Sequence, residues 1–435
     1  MNAILSEFTL TGFKSYCEGR LPLGSLTVLI GANASGKSNA IEGLRFLSWL
    51  AQGQKLSSIQ YETNNGDRII RGRTSDLCHR GESSFSIGCR LDATPWNNLS
   101  ITLTVRDGEL HISHEKITET PAKTPLYELA EPSQGFGTDV SVAYNNFNRG
   151  QNKPRITCSD QMAIFVQLDS PASFAKQYTK SQKEIPGIIQ EYQRVLGNNL
   201  FLDPVPAKMR EYSFKTDRHL QGDGTNLSSV LYRLWQDNES NQQAILDFIQ
   251  SLPEQAIAGI SFLSGPRDEV MVKLTETFGQ THRDYEAALL SDGTLRVLAI
   301  AAAMLSATEG SLVVIEEIDN GVHPARAQRL LANIRAIADR RNLRVLLSTH
   351  NPALMDALPD NALSDVVFCF RDPETGDSRL VRLGDLDEFP GLISQGSLGH
   401  LVTAGVVDRV IKSPQTPEDR RQKAMQWLNQ LQGQV

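Results

Sequence analysis

The chain has 435 residues, 40% of them hydrophobic, enough for a full core and for two or three lobes. A formal net charge of −7 excludes a bulk polyanion binder, although local basic patches remain compatible with it. The five cysteines, Cys17, Cys78, Cys89, Cys158 and Cys369, include no C-x-x-C pair, so neither a zinc ribbon nor a disulfide framework is indicated.

The N-terminus, "MNAILSEFTLTGFKSY", lacks the basic start, apolar middle and small-residue cleavage site of a signal peptide. No apolar run reaches the roughly 18 residues of a membrane-spanning helix. The expectation is a soluble, cytoplasmic chain with reduced thiols. The N-x-S/T triplets at Asn98, Asn226 and Asn238 then carry no meaning.

"LTVLIGANASGKSNAIEGLRFLSWL" reads as an apolar strand, a glycine-rich turn and a helix with apolar residues at Ile41, Leu44, Leu47 and Leu50. Residues 66–118 alternate in short segments, with a turn signal at Asp107-Gly108, and predict an antiparallel β layer. Residues 119–160, rich in Pro, Thr, Ser, Asn and Gly, predict a long excursion with little core. "MAIFVQLDSP" (162–171) reads as a strand with a polar end. Two stretches, 181–197 and 225–252, carry apolar residues at helical spacing. From about 255 to 370 strands and helices alternate, the pattern of parallel α/β layers. The tail, 397–432, reads as helical and polar. The predicted division is an N-terminal lobe over 1–165, a helical insert over 166–255, a C-terminal lobe over 256–395 and a helical tail over 396–435.

"GANASGKS", Gly31 to Ser38, fits the phosphate-loop pattern G-x-x-x-x-G-K-S/T, and a strand and a helix flank it as that pattern requires. Glycines let successive backbone N–H groups curl around phosphate oxygens, and the helix N-terminus adds a positive dipole end. Lys37 is placed to reach the β- and γ-phosphates, and the Ser38 hydroxyl to ligate Mg²⁺. Three more segments follow. "LLSDGTLRVLAIAAAML" opens a helix at Ser291. "LVVIEE" ends an apolar strand on Glu316-Glu317. "LRVLLSTHNP" ends another on His350. Ser291 and Glu317 are 26 positions apart, and Glu317 and His350 33.

In this order and spacing, "GFKSY", "GANASGKSN", "LSDGTLR", "IEEIDNGVHP" and "LLSTHNP" resemble the ABC-type ATPases. The likeness is to the SMC/RecF/OLD-like branch and to the stand-alone ATPases of phage-defence systems such as PARIS and Septu. The resemblance implies an α/β P-loop ATPase head with an antiparallel β layer and a helical insert. It further implies ATP and Mg²⁺ as cofactors, with Gly31, Asn33, Ser35 and Gly36 around the nucleotide together with Lys37, Ser38 and Asn39. By the same likeness Glu317 is the general base, Glu316 stands where the family has a Mg²⁺-supporting Asp, and His350 is the γ-phosphate switch. Gln167, before the helical insert, is the candidate for the magnesium-contacting glutamine. Ser291 and Gly293, in "LSDGT" where transporters read L-S-G-G-Q, reach the partner's nucleotide across a dimer. Asp292 caps the helix or contacts the partner.

The implied function is an ATP-driven switch that dimerises, or assembles further, and gates a separately encoded nuclease or toxin. The 85 residues after His350 hold no acidic E…D-x-D set of a TOPRIM nuclease. The alternative is a RecF-like clamp that grips DNA. The basic groups Arg68, Arg71 and Arg73, and Lys208, Arg210, Lys215 and Arg218, are its candidate contacts, or else ordinary solvated faces. Lys14 is open between nucleotide, DNA and solvent, and His323 between a dimer seam and a turn cap before Pro324.

Overall fold

The computed structural model describes residues 3–412, apart from 60–62, 65–66, 122–123, 134–136, 151–152, 251–256 and 320–323. Two sheets diverge within the first thirty residues. The strand Ile4–Phe13 lies in an eight-stranded antiparallel sheet, between Tyr16–Pro22 and Ser84–Asp92. The strand Leu26–Ile30 instead enters a six-stranded sheet. Its order is Leu200–Leu202, Leu312–Ile315, Arg344–Thr349, Leu26–Ile30, Val366–Arg371 and Ser378–Arg382. All neighbours run parallel except the last pair.

The six-stranded sheet is apolar on both faces, as a parallel sheet covered on both sides must be. Along Leu26–Ile30 the side chains alternate between two cores, Leu29 to one and Val28 and Ile30 to the other. The first core joins the sheet to the antiparallel layer through the helix Lys37–Ala51, whose Ile41, Leu44, Leu47 and Leu50 are all buried as their spacing predicts. The second core lies under Leu227–Asp237, Glu239–Ile249 and Asp292–Ser306. The expected α/β head with an antiparallel layer is therefore present. No helix among the described residues is long and apolar enough to cross a membrane.

Four local expectations are corrected. Residues 119–160 are not a coreless excursion: Tyr127–Leu129, Asp139–Tyr144 and Arg155–Ser159 extend the antiparallel sheet and bury Tyr127, Val142 and Tyr144. These strands are short and separated by polar turns, so their period of two is swamped by composition. The predicted strand at 162–171 is a helical turn, Ile164–Gln167. The insert is not purely helical, because Leu200–Leu202 within it pairs in register with Val313–Ile315. The stretch after 255 opens not with parallel layers but with an antiparallel hairpin sheet, Ile257–Ser264, Glu269–Phe278 and Thr281–Glu286. Two helices follow 397, Leu398–Thr403 and Val406–Lys412, and the rest of the predicted tail lies outside the described residues.

The helical turn at 164 is held by a buried carboxylate. Glu115 accepts the Ile164 and Phe165 N–H groups at 2.8 and 2.7 Å and the Tyr127 hydroxyl at 2.7 Å. Burial nevertheless pushes its pKa up from an ordinary 4.5 to about 7. The folded chain then holds this proton more tightly than the unfolded one, so the contribution to stability falls as pH rises from the unfolded pKa through the folded one. The loss is about 3 kcal/mol across that window. The thermal midpoint is expected to fall between pH 5 and pH 8, and this part of the slope to vanish in Glu115→Gln. A slope unchanged in that variant contradicts the assignment.

Candidate active site

The strand Leu26–Ile30 delivers the chain into a loop with two glycines that nothing larger replaces. Gly31 (φ 148°) and Gly36 (φ 118°) are both in the region L side chains avoid. A Cβ would lie 2.1 Å from the Cys369 carbonyl at the first and 2.2 Å from Ser378 Oγ at the second. The loop is braced from the C-terminal strands, since the Ser35 carbonyl accepts from Ser378 Oγ at 2.6 Å and from the Cys369 thiol at 3.4 Å. Lys37 Nζ donates to the Gly31 and Ala32 carbonyls at 2.7 and 3.1 Å. Burial lowers its pKa, opposed by Cys369, Glu317 and Asp319.

Above the loop is a cleft of about 400 Å³. Asn33, Ser35, Gly36, Lys37, Ser38 and Asn39 form its floor. Glu316, Glu317 and His350 enter from the ends of the two neighbouring parallel strands, at the carboxyl edge where open α/β sheets bind ligands. Gly31 lies beneath, its carbonyl holding Lys37. The chain turns out of the strand at Glu317, which has φ 47°. A non-glycine residue there costs on the order of 1–3 kcal/mol, the kind of strain stored at functional sites. Ser348 fixes this turn: its Oγ accepts the Glu317 N–H at 3.0 Å and its carbonyl the Ile318 N–H at 3.2 Å. His350 Nδ1 is 3.6 Å from the carboxylate of Asp319, whose other oxygen is buried without a partner among the described residues. Asp319 thus lies beside the ring as a nearby carboxylate without a direct hydrogen bond to it.

The cleft suits a nucleotide triphosphate with its metal. Ser35 Oγ is buried and without a partner among the described residues, so it has a donor to give a phosphate oxygen. At Gly31 and Gly36 the loop has no room for a Cβ, so its backbone packs closely there. No cluster of three His, Cys, Asp or Glu exists among the described residues. Mg²⁺ is usually held by one or two protein oxygens, substrate phosphates and water. Ser38 and Glu316 are the cleft oxygens that would hold it.

Glu316 itself is tightly framed. Arg45 Nη2 donates to its Oε1 at 2.9 Å, with both side chains less than one-fifth exposed, and the guanidinium also stacks 5.4 Å from the Phe201 ring centre. Burial raises the pKa of Glu316, Arg45 opposes the rise, and Asp203 and Glu317 add to it. Asp203 follows the edge strand Leu200–Leu202, whose register sets it beside Glu316. With Ser38, Glu42, Arg45, Ile69 and Arg71 these two carboxylates line a smaller cavity of about 210 Å³.

Sequence reasoning missed Asp203, Arg45 and Asp319 and left Arg71 as a nucleic-acid candidate. Faint signals existed. Asp203 ends an apolar triplet as Glu316 ends its strand, and Arg45 lies two helical turns after Ser38, on the same face. Arg71 lines the cleft and bonds Glu42 at 2.7 Å. Lys14 turns to Glu42 and to the Arg71 carbonyl, so it braces this corner instead of facing solvent. Lys208, Arg210 and Lys215 pair with Asp223, Asp292 and Asp268, which removes them from any open basic stripe.

Three assignments do not meet at the cleft. Gln167 is in the wrong place: its Oε1 accepts the Ser159 N–H at 2.8 Å and its Nε2 donates to the Ser159 and Met162 carbonyls at 2.8 and 2.9 Å. The amide is spent inside the antiparallel layer, because the segment that carries it is a helical turn and not the strand expected. Ser291 and Gly293 stand at the start of the helix Asp292–Ser306 and are not among the cleft's lining residues. Ser291 caps that helix, accepting the Thr294 N–H at 3.1 Å. His323 lies outside the described residues, while the helix after it begins at Pro324 as expected.

Among solved structures, an SMC head bound to the C-winged helix domain of ScpA is 13% identical, with 87% of this chain and 97% of that chain covered and a TM-score of 0.48. The SMC head domain from Thermotoga maritima is 14% identical, covering 88% and 99%, with a TM-score of 0.37. The Smc head with extended coiled coil bound to the C-terminal domain of ScpA, derived from Pyrococcus furiosus, is 12% identical, covering 94% and 100%, with a TM-score of 0.45. No curated protein matches the chain. A family model does match. Residues 26–120 and 184–356, more than half of the chain, fit the family described as "AAA domain, putative AbiEii toxin, Type IV TA system". Those two spans contain the phosphate loop, the glutamate pair and His350, and the chain belongs to that AAA-domain family.

Proposed function

We propose that the chain is an ATPase switch: two copies close around ATP, and hydrolysis reopens them. The observation that carries this reading is the meeting of Lys37, Ser38, Glu316, Glu317 and His350 in one cleft, while Ser291 and Gly293 stand outside it. A second copy is what would bring its Ser291 to this cleft. Ser38 and Glu316 would hold Mg²⁺, which would supply neutralisation of the phosphate charge. Lys37 contacts the β- and γ-phosphates, Glu317 orients and deprotonates the attacking water, and His350 holds the γ-phosphate from the adjacent strand. Closure follows from differential binding, since ATP touches both copies only in the closed form.

The output on this reading is control of a separately encoded effector, a nuclease or toxin, in anti-phage defence. The family's description, which names a toxin of a toxin–antitoxin system, supports that context. Purification of the native assembly followed by mass measurement tests it: a chain recovered alone or only as its own oligomer contradicts effector control. The core assignment is tested separately. Lys37→Ala is expected to lose at least tenfold in ATP affinity, measured with a fluorescent ATP analogue, because the removed ammonium is the loop's only side-chain cation. Retained affinity refutes the phosphate-loop reading.

A further inference from the structure

The signature segment departs from the transporter pattern at Asp292, where a carboxylate beside an incoming phosphate would be repulsive. The structure places a cation directly on it. Arg210, from the helix Pro206–Met209 and the turn after it, donates from Nη2 to Asp292 Oδ1 at 2.7 Å and to the Leu290 carbonyl at 2.9 Å. The guanidinium thus brackets Ser291, touching the residue on either side. It is half-buried, while Asp292 is mostly exposed. A phosphate that meets the Ser291 hydroxyl therefore meets a segment whose two flanking residues both hold Arg210.

A second observation concerns what covers this face. Among the described residues the exposed large hydrophobic side chains are Val205, Tyr212, Phe214 and Leu289, the last 71% exposed. Three flank Arg210 on its own segment and the fourth is next to Leu290, so all belong to the two segments that the Arg210 bond joins. Exposed apolar side chains on the two segments that carry a charged anchor suit an interface.

We infer that Arg210 acts in trans, leaving Asp292 on closure to contact the γ-phosphate bound by a second copy of this chain, with Asp292 as its resting counter-ion. This rests on the reading that two copies close on ATP. Arginine suits the task because its planar fork pairs with carboxylate and phosphate in the same geometry. Asp292 then explains itself: it keeps the cation placed and its charge balanced while no phosphate faces it.

The test mixes two inactive variants. Arg210→Ala is expected to bind ATP and lose turnover by about 10³-fold, the lower range for a phosphate-facing arginine. Glu317→Gln is also inactive but retains Arg210. In a mixed dimer the Arg210→Ala copy offers an intact cleft with Glu317, and the partner copy offers Arg210, so hydrolysis should return. With equal amounts and random pairing, about a quarter of the wild-type rate per chain is expected. Mass measurement with ATP is run on the same samples. No dimer in Glu317→Gln overturns the closure reading and this inference with it. A dimer whose mixture stays inactive, or Arg210→Ala active by itself, overturns the trans role and leaves closure standing. Asp292→Ala gives an independent check, since freeing Arg210 should lower the ATP concentration for half-maximal dimerisation. A rise counts against the inference.

Discussion

Glu317→Gln is expected to keep ATP affinity within about threefold of wild type while losing turnover by about 10²–10⁴-fold, the range for a positioned general base. The amide is isosteric and fits the same left-handed turn, and the Glu317 N–H that Ser348 holds is backbone and unchanged. What disappears is the acceptor for the water's proton. Because closure precedes hydrolysis in the proposed cycle, the variant should accumulate as an ATP-bound dimer, visible by light scattering, and release it when ATP is removed. Wild-type turnover in this variant rules out Glu317 as the base. Loss of ATP affinity equal to the loss of turnover assigns it to ground-state binding instead.

Arg45→Met is expected to destabilise the chain by about 3–5 kcal/mol, as when one partner of a buried ion pair is removed. The pair is mostly withdrawn from water and Arg45 also covers the Phe201 ring, so the substitution leaves Glu316 without its guanidinium and sharing a small cavity with the carboxylate of Asp203. The double substitution Arg45→Met/Glu316→Gln removes the orphaned charge and should recover most of the loss. Denaturant titration of the four proteins of this cycle measures the coupling directly. A coupling under about 0.5 kcal/mol would reduce the contact to the level of a surface pair. The same cycle separates stability from chemistry: the double variant regains its fold but not magnesium-dependent turnover.

The cleft's main parts were readable because each is announced by a residue of special type at the end of an apolar run. Gly31, Glu316-Glu317 and His350 sit where a strand stops, and Gly36 where the following helix starts. Asp203 was not readable by the same logic, since its strand has only three residues, Leu200 to Leu202, and becomes a strand only by pairing with Val313–Ile315. Gln167 misled for the complementary reason. An apolar run ahead of a glutamine looks like a strand end, but Glu115, some fifty positions earlier, caps it as a helical turn. Arg45 and Arg210 are ordinary helix and turn arginines until the fold puts a carboxylate 2.9 and 2.7 Å away. The antiparallel layer was visible in its long strands and lost in its short ones, where tertiary pairing outweighs local pattern.

The phosphate loop's bracing has a consequence for how the chain is made. Ser35 and the Ser378 hydroxyl that holds its carbonyl are 343 positions apart. The strand leading into the loop is flanked on both sides by strands from the last third of the chain. A ribosome therefore releases the nucleotide-binding segment long before its neighbours exist, and an apolar strand must wait unpaired. The nascent chain has no assembled cleft at that stage. The loop is fully braced only once the strands Val366–Arg371 and Ser378–Arg382 have been made.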